Sequence, residues 1–187
     1  MKRGVGNYNV VLLLAAITLT VTSSISAGQK AQVSSAHIIK EVRHELVTLP
    51  YYGVFDWLQF EVRADSTVVL RGQVVKPSTK SDAEARVREI EGVAGVVNEI
   101  QTLPVSPTDE RLRIALYRAL YNDDSPLFRY ATQSVPSINI IVNQGRATLK
   151  GVVDSKGDAD LANIRARGVP GVFEVKNELT TESELPR

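Results

Sequence analysis

The segments Val69–Thr102 and Thr148–Thr181 align without a gap at a separation of 79 residues. Twelve of the aligned pairs are identical: Leu70/Leu149, Gly72/Gly151, Val74/Val153, Ala83/Ala162, Arg86/Arg165, Arg88/Arg167, Gly92/Gly171, Val93/Val172, Val96/Val175, Asn98/Asn177, Glu99/Glu178 and Thr102/Thr181. About two matches would arise by chance in such a window, so the chain contains an internal duplication. This constrains the fold more than any other feature, because one local architecture has to suit both copies. Two copies are too few for a solenoid.

Each copy changes period in the same places. Leu58, Phe60 and Val62 alternate with Gln59, Glu61 and Arg63, and Val68, Leu70, Gly72 and Val74 alternate with Thr67, Arg71 and Gln73. In the second copy the same alternation runs through Ile138, Ile140 and Val142, then Ala147, Leu149, Gly151 and Val153. Period two on both sides of Ala64-Asp65-Ser66 and of Asn143-Gln144-Gly145 predicts two β-hairpins. The hairpins are one residue out of phase, which predicts a bulge in one of them. Helical spacing follows. Ser81-Asp82-Ala83-Glu84 fits a capping box, Ala83, Val87 and Ile90 form a stripe, and Gly92 stands where the helix would end. Ala162, Ala166, Val169 and Gly171 repeat this. VVNEI (Val96–Ile100) and VKNEL (Val175–Leu179) then read as short strands. An amphipathic helix opens each copy, through Ile38, Ile39, Val42 and Leu46 after Ser34-Ser35, and through Leu112, Leu116, Ala119 and Leu120 after Ser106-Pro107-Thr108-Asp109.

The expected fold is therefore α+β: two tandem small α-β-β-α-β domains, each a three-stranded mixed sheet covered by two helices. The boundaries read 34–103 and 108–181, with a proline-rich linker at 104–107 and a tail at 182–187. Two prolines in Leu103-Pro104-Val105-Ser106-Pro107 stiffen the link and keep the modules close.

Residues 1–27 fall outside this plan. Lys2 and Arg3 precede an apolar run, Val10–Val21, and Ser23-Ser24-Ile25-Ser26-Ala27 supplies small residues suited to cleavage. That is the pattern of a cleaved secretory signal peptide, shorter than a comfortable membrane span. The expected location is periplasmic or secreted, with an uncleaved membrane anchor as the lesser alternative. The chain has no cysteine, so a disulfide framework and a lipid-modified cysteine are both excluded. Setting residues 1–27 aside removes two of the 22 basic residues and none of the 21 acidic ones. The remainder then carries one net negative charge, which is no nucleic-acid footprint.

The residues LRGQV (Leu70–Val74) and LKGVV (Leu149–Val153), followed by GVAGVVNEI (Gly92–Ile100) and GVFEVKNEL (Gly171–Leu179), resemble the BON domain, a bacterial module named for osmotically induced and nodulation proteins. The resemblance spans nearly all of the chain after the leader, although Asn122–Ser137 fits the pattern less well. A signal peptide followed by two such modules is similar to the periplasmic osmotically inducible proteins. What the resemblance implies is a noncatalytic module, without cofactor, that associates with phospholipid or mediates envelope interactions.

The residues independently give no sign of catalysis. His37 and His44 lie seven apart on one helix with no ligand cluster beside them, and no serine or glycine-rich loop has a catalytic or phosphate-binding context. Asp123-Asp124 and Asp154/Asp158/Asp160 suit helix caps and turns as readily as a cation site. Gly72, Gly92, Asn98, Gly151, Gly171 and Asn177 read as structural motif residues, the glycines for close backbone approach and helix stops, the asparagines for bonds to local backbone. The lipid-contact candidates are Arg86, Arg88, Arg165 and Arg167, whose guanidinium forks suit phosphate, together with Trp57. Trp57 with Tyr51 and Tyr52, and Phe128 with Tyr130, are aromatic clusters that either cover a core or sit at headgroup depth. Two functions stay open: association with a phospholipid membrane surface, and a protein–protein interaction or assembly module in which an exposed sheet edge pairs with envelope protein partners. Sensing of small ions or solutes is a fainter third.

Overall fold

The computed structural model describes residues 34–132 and 137–184. The proposed signal peptide lies outside them.

Helix α1 (Ser35–Val47) starts where the hydroxyl of Ser34 accepts from the amide of His37, and its inner face buries Ile38, Val42 and Leu46. Strands β1 (Trp57–Val62) and β2 (Thr67–Val74) form an antiparallel hairpin. Helix α2 (Pro77–Arg88) crosses back so that β3 (Gly95–Asn98) and β4 (Gln101–Thr102) lie parallel to β2. The second half repeats the order with α3 (Pro107–Tyr121), β5 (Ile138–Asn143), β6 (Arg146–Val153), α5 (Lys156–Arg167) and β7 (Glu174–Thr181). A short helix, α4 (Phe128–Ala131), is added between α3 and β5. In each half the second strand is central, antiparallel to the first and parallel to the third. The fold is thus α+β, with two mixed three-strand sheets packed against helices.

There are two cores. Ile38, Val42, Leu46, Val68, Leu70, Val74, Ala83, Val87 and Ile100 build the first. Leu112, Leu116, Leu120, Ile138, Ile140, Val142, Leu149, Ala162 and Ala166 belong to the second. The strand faces that carry them are those expected from period two, but Val69, Asn139 and Ile141, on the opposite faces, are buried too.

Two shared residue types explain why the copies keep the same shape. Gly72 and Gly151 sit in the central strands at φ +134° and +128°, and a Cβ there would lie 1.9 Å from the carbonyl oxygens of Trp57 and Ser137 respectively. The first strand can approach this closely only because the side chain is missing. Asn98 donates its amide to the carbonyl of Lys80 at 3.0 Å, and Asn177 donates to that of Ala159 at 2.9 Å. Each asparagine oxygen also accepts from the main chain two residues on, at Ile100 and Leu179. The asparagine therefore makes the local backbone bond expected of it and also ties the third strand to the second helix.

Four details refine or correct the sequence reading. The expected bulge lies in the first hairpin's turn. The amide of Ser66 donates to the carbonyl of Arg63, and Ser66 takes φ +62°, so a three-residue loop carries the extra residue. The second hairpin turns on two residues, Gln144 and Gly145, both at positive φ. No capping box exists at Ser81, because Pro77, pre-set for a first helical turn, starts α2 four residues earlier. Gly92 and Gly171 do not stop the helices, which end at Arg88 and Arg167. They lie in the following turns at φ +91° and +89°, where Val93 and Val172 donate to the carbonyls of Ile90 and Val169, the pattern of a type II turn. Finally, Pro107 takes the first turn of α3, as a proline after Ser106 suits, so the helix begins one residue before the boundary at 108, capped by Ser106 through the amide of Asp109.

Candidate functional site

The loop Gly53–Asp56, ahead of β1, joins the halves. Val54 and Phe55 pack against the second core, with the Phe55 ring edge-on to Tyr117 at 6.3 Å between centroids. The carbonyl of Val54 accepts from the amide of Ile140 at 2.7 Å, and that of Asp56 accepts from the side-chain amide of Asn139 at 2.8 Å. The loop is held in shape by Asp56, whose buried carboxylate accepts from the amides of Gly53 (3.1 Å) and Val75 (2.7 Å). Burial pushes this carboxyl above its ordinary range, against the pull of the two amides and of Arg113 and Lys76. Arg113, itself buried, donates to the carbonyl of Val142 and to Glu110. Nothing in the local pattern of Gly-Val-Phe-Asp distinguished it from an ordinary aromatic-rich loop; an acid amid apolar residues was the only available signal.

The candidate residues fall in separate places. Arg86 reaches from α2 to Glu45 on α1 at 3.0 Å, and Arg165 reaches from α5 to the carbonyl of Ala119 and the side-chain oxygen of Asn122. Both arginines clamp a helix pair. Arg88 lies outward and pairs with Glu84 one turn earlier. Arg167 has no hydrogen-bond or ion-pair partner among the described residues and lines a shallow depression with Val172, Phe173 and Glu174. Trp57 is partly buried on the face of the first sheet turned towards Lys150, and among the described residues its indole N–H has no hydrogen-bond partner. Tyr52 packs on the first core and Tyr130 is buried in the second, whereas Tyr51 is exposed under the Lys76 ammonium.

The acidic residues of the second half are largely engaged. Asp158 accepts from Ser155, Tyr130 and Arg129, and Arg129 also pairs with Asp154. Burial works against the charge of Asp158, but the bonds from Ser155 and Tyr130 and the Arg129 guanidinium hold its carboxyl below the usual range. No group of three or more metal-ligating side chains occurs among the described residues.

One surface edge was not singled out in the sequence. Phe173 is 83% exposed and Ile164 67% exposed. The Phe173 ring lies on Gly145, where a Cβ would come within 2.4 Å of it, and the Phe173 amide donates to the Gly145 carbonyl at 2.9 Å. Ile164 lies one turn before Arg167 on α5, and the Phe173 ring lines the same depression as that guanidinium. At the matching positions of the first copy stand Ala85 and Ala94. Both residues lie where the copies differ, so the duplication carries no signal of them.

No helix among the described residues is long and apolar enough to cross a membrane. Among solved structures, the chain is similar to the C-terminal domain of CdsD, the structural protein of the Type III secretion system of Chlamydia trachomatis, at 12% identity and a TM-score of 0.31, covering 82% of this chain and 100% of that one. A second CdsD structure from the same organism matches at 13% identity and a TM-score of 0.30, over 79% of this chain and 94% of that one. No curated protein matches the chain. The family model for the BON domain matches twice, at residues 34–104 and 109–183. With both copies matched and each folded as a helix-covered mixed sheet, the chain belongs to the BON domain family and carries two such domains in tandem.

Proposed function

We propose that the protein is a noncatalytic, exported component of the bacterial envelope that associates peripherally with phospholipid surfaces, the second domain making the contact. The observation that carries this reading is the exposed Phe173 ring beside Arg167, with the exposed Ile164 one turn before that arginine on α5. An aromatic ring and an aliphatic side chain can enter the apolar side of the headgroup region while the Arg167 guanidinium donates to two phosphate oxygens. The family's link to membrane and phospholipid association points the same way. Arg88 adds charge on the first domain, whereas Arg86 and Arg165 act through the helix pairs they hold. The N-terminal pattern supports a periplasmic or secreted location, and the resemblance to osmotically inducible proteins supplies osmotic or envelope stress as the setting. The near-neutral charge balance of the domains argues against a nucleic-acid partner.

Co-sedimentation with vesicles of phosphatidylethanolamine and phosphatidylglycerol tests the proposal. Burying each apolar side chain contributes about 1.5–3 kcal/mol when complete, so Phe173→Glu with Ile164→Glu is expected to weaken binding at least roughly tenfold. Arg167→Glu with Arg88→Glu should weaken it further on anionic vesicles. Undiminished pelleting of both variants refutes the assignment.

A further inference from the structure

The two domains treat the outer edge of their first strand in opposite ways. In an antiparallel pair, alternate residues turn their main-chain groups towards the partner and away from it. Arg63 donates to the carbonyl of Thr67, which makes that pair inward-bonded and leaves Leu58, Phe60 and Val62 facing outward along β1. Their counterparts on β5 are Ile138, Ile140 and Val142, and each has one outward group bonded. The hydroxyl of Tyr121 donates to Ile138 at 2.8 Å, the amide of Ile140 donates to Val54, and Arg113 donates to Val142 at 3.0 Å. On β1 the amide of Leu58 meets the hydroxyl of Tyr52. Among the described residues, no hydrogen bond reaches the outward groups of Phe60 or Val62.

The cause lies on the facing helix. Aligning the buried stripes Ile38, Val42, Leu46 and Leu112, Leu116, Leu120 places Ile39, Arg43 and Val47 of α1 opposite β1 where α3 has Arg113, Tyr117 and Tyr121. The donors that seal β5 are replaced by aliphatic side chains, which cannot seal β1. Between α1 and β1 a groove of about 590 Å³ remains open, lined by Ile39, Arg43, Val47, Phe60, Val62 and Arg71 among others. Arg71 is already held by Glu61 and Glu99, whereas Arg43 has no ion-pair partner among the described residues.

We infer that this groove binds an extended segment of a partner protein that adds a short strand to β1. The segment presents a main-chain carbonyl to the amide of Phe60, an apolar side chain to Ile39 and Val47, and an acidic residue to Arg43. Its chemistry is read from the protein itself: on β5 the same task is done by Gly53–Asp56, through a carbonyl and an apolar pair. Strand addition gives affinity through main-chain bonds and selectivity through the pockets beside them. The surface is independent of the Phe173 edge, so the lipid reading can fail without it.

Amide spectra of the 15N-labelled protein test the inference, with a capped peptide of the sequence of residues 52–57 as probe and a version carrying lysine in place of its aspartate as control. The acidic peptide is expected to shift the Phe60 and Val62 amides and to slow their hydrogen exchange by roughly tenfold at saturation. Arg43→Glu, an exposed change, should weaken that binding at least roughly fivefold and favour the lysine peptide. Unchanged Phe60 and Val62 amides at about 1 mM peptide, or equal binding of the two peptides, overturns the inference. Shifts of the same amides with protein concentration alone would assign the groove to a second copy, and shifts caused by vesicles alone would assign it to lipid. Either result also overturns it.

Discussion

Gly72→Ala is the sharpest test of how the hairpin is built. At φ +134° an alanine pays a backbone penalty of about 1–3 kcal/mol, since this region is nearly confined to glycine. The new methyl would also stand 1.9 Å from the carbonyl oxygen of Trp57, 2.9 Å from its carbon and 3.0 Å from the Cα of Leu58. All three are main-chain atoms, so no side chain can rotate away, and β1 has to move. Overpacking of this kind costs roughly 1–3 kcal/mol. Together the two effects give about 2–6 kcal/mol, a large share of the roughly 5–15 kcal/mol that holds a domain folded. Gly53→Ala is the matched control, for a Cβ there meets nothing within 4 Å and its φ is ordinary. Urea unfolding is conveniently followed by fluorescence, because Trp57 is the sole tryptophan and lies in the hairpin itself. The expected result is a loss of at least about 2 kcal/mol for Gly72→Ala and less than about 0.5 kcal/mol for Gly53→Ala. Equal stability of the two variants would refute the argument that the absent side chain sets the strand separation.

Two further outcomes concern the junction. Phe55→Ala removes a half-buried ring from the second core and an edge-to-face contact with Tyr117, a loss of about 1.5–3 kcal/mol; calorimetry should show one unfolding transition for the native protein and two for the variant, and an unchanged single transition would contradict the assigned role. Because burial raises the Asp56 carboxyl in the folded state, the native state takes up its proton at a pH where the unfolded chain is already ionised. The contribution of this group to stability therefore falls as pH rises from the ordinary aspartate range through the raised native value, and the stability difference between the native protein and Asp56→Asn should shift in that direction; a difference flat across this window would contradict it.

The duplication made most of the architecture legible. Period-two runs placed both hairpins, and the stripes Ile38, Val42, Leu46 and Leu112, Leu116, Leu120 placed both opening helices, because their burial is set by local spacing. The start of α2 was missed since Pro77 and the Ser81 box are both plausible helix openings, and proline prevailed. Helix α4 was missed because Asn122–Ser137 has no counterpart to compare with, and four residues carry little periodicity. The site was harder to read. Arg86 and Arg165 look alike in sequence, yet one finds a carboxylate and the other a carbonyl and an amide, which only the packing of α1 and α3 decides. Phe173 and Ile164 were overlooked because they are where the copies differ.

The Val54 carbonyl and the Phe55 ring complete a sheet to which they do not belong in sequence. Excision of the second domain at the proline linker would cut inside that shared structure, although the family boundary falls there. The excised piece would expose the Ile140 amide and the apolar patch under Phe55 to other molecules, and its poor behaviour in isolation would reflect where the cut was made. An autonomous second domain would have to carry a substitute for those four residues, so the unit of inheritance and the unit of solubility are not the same length.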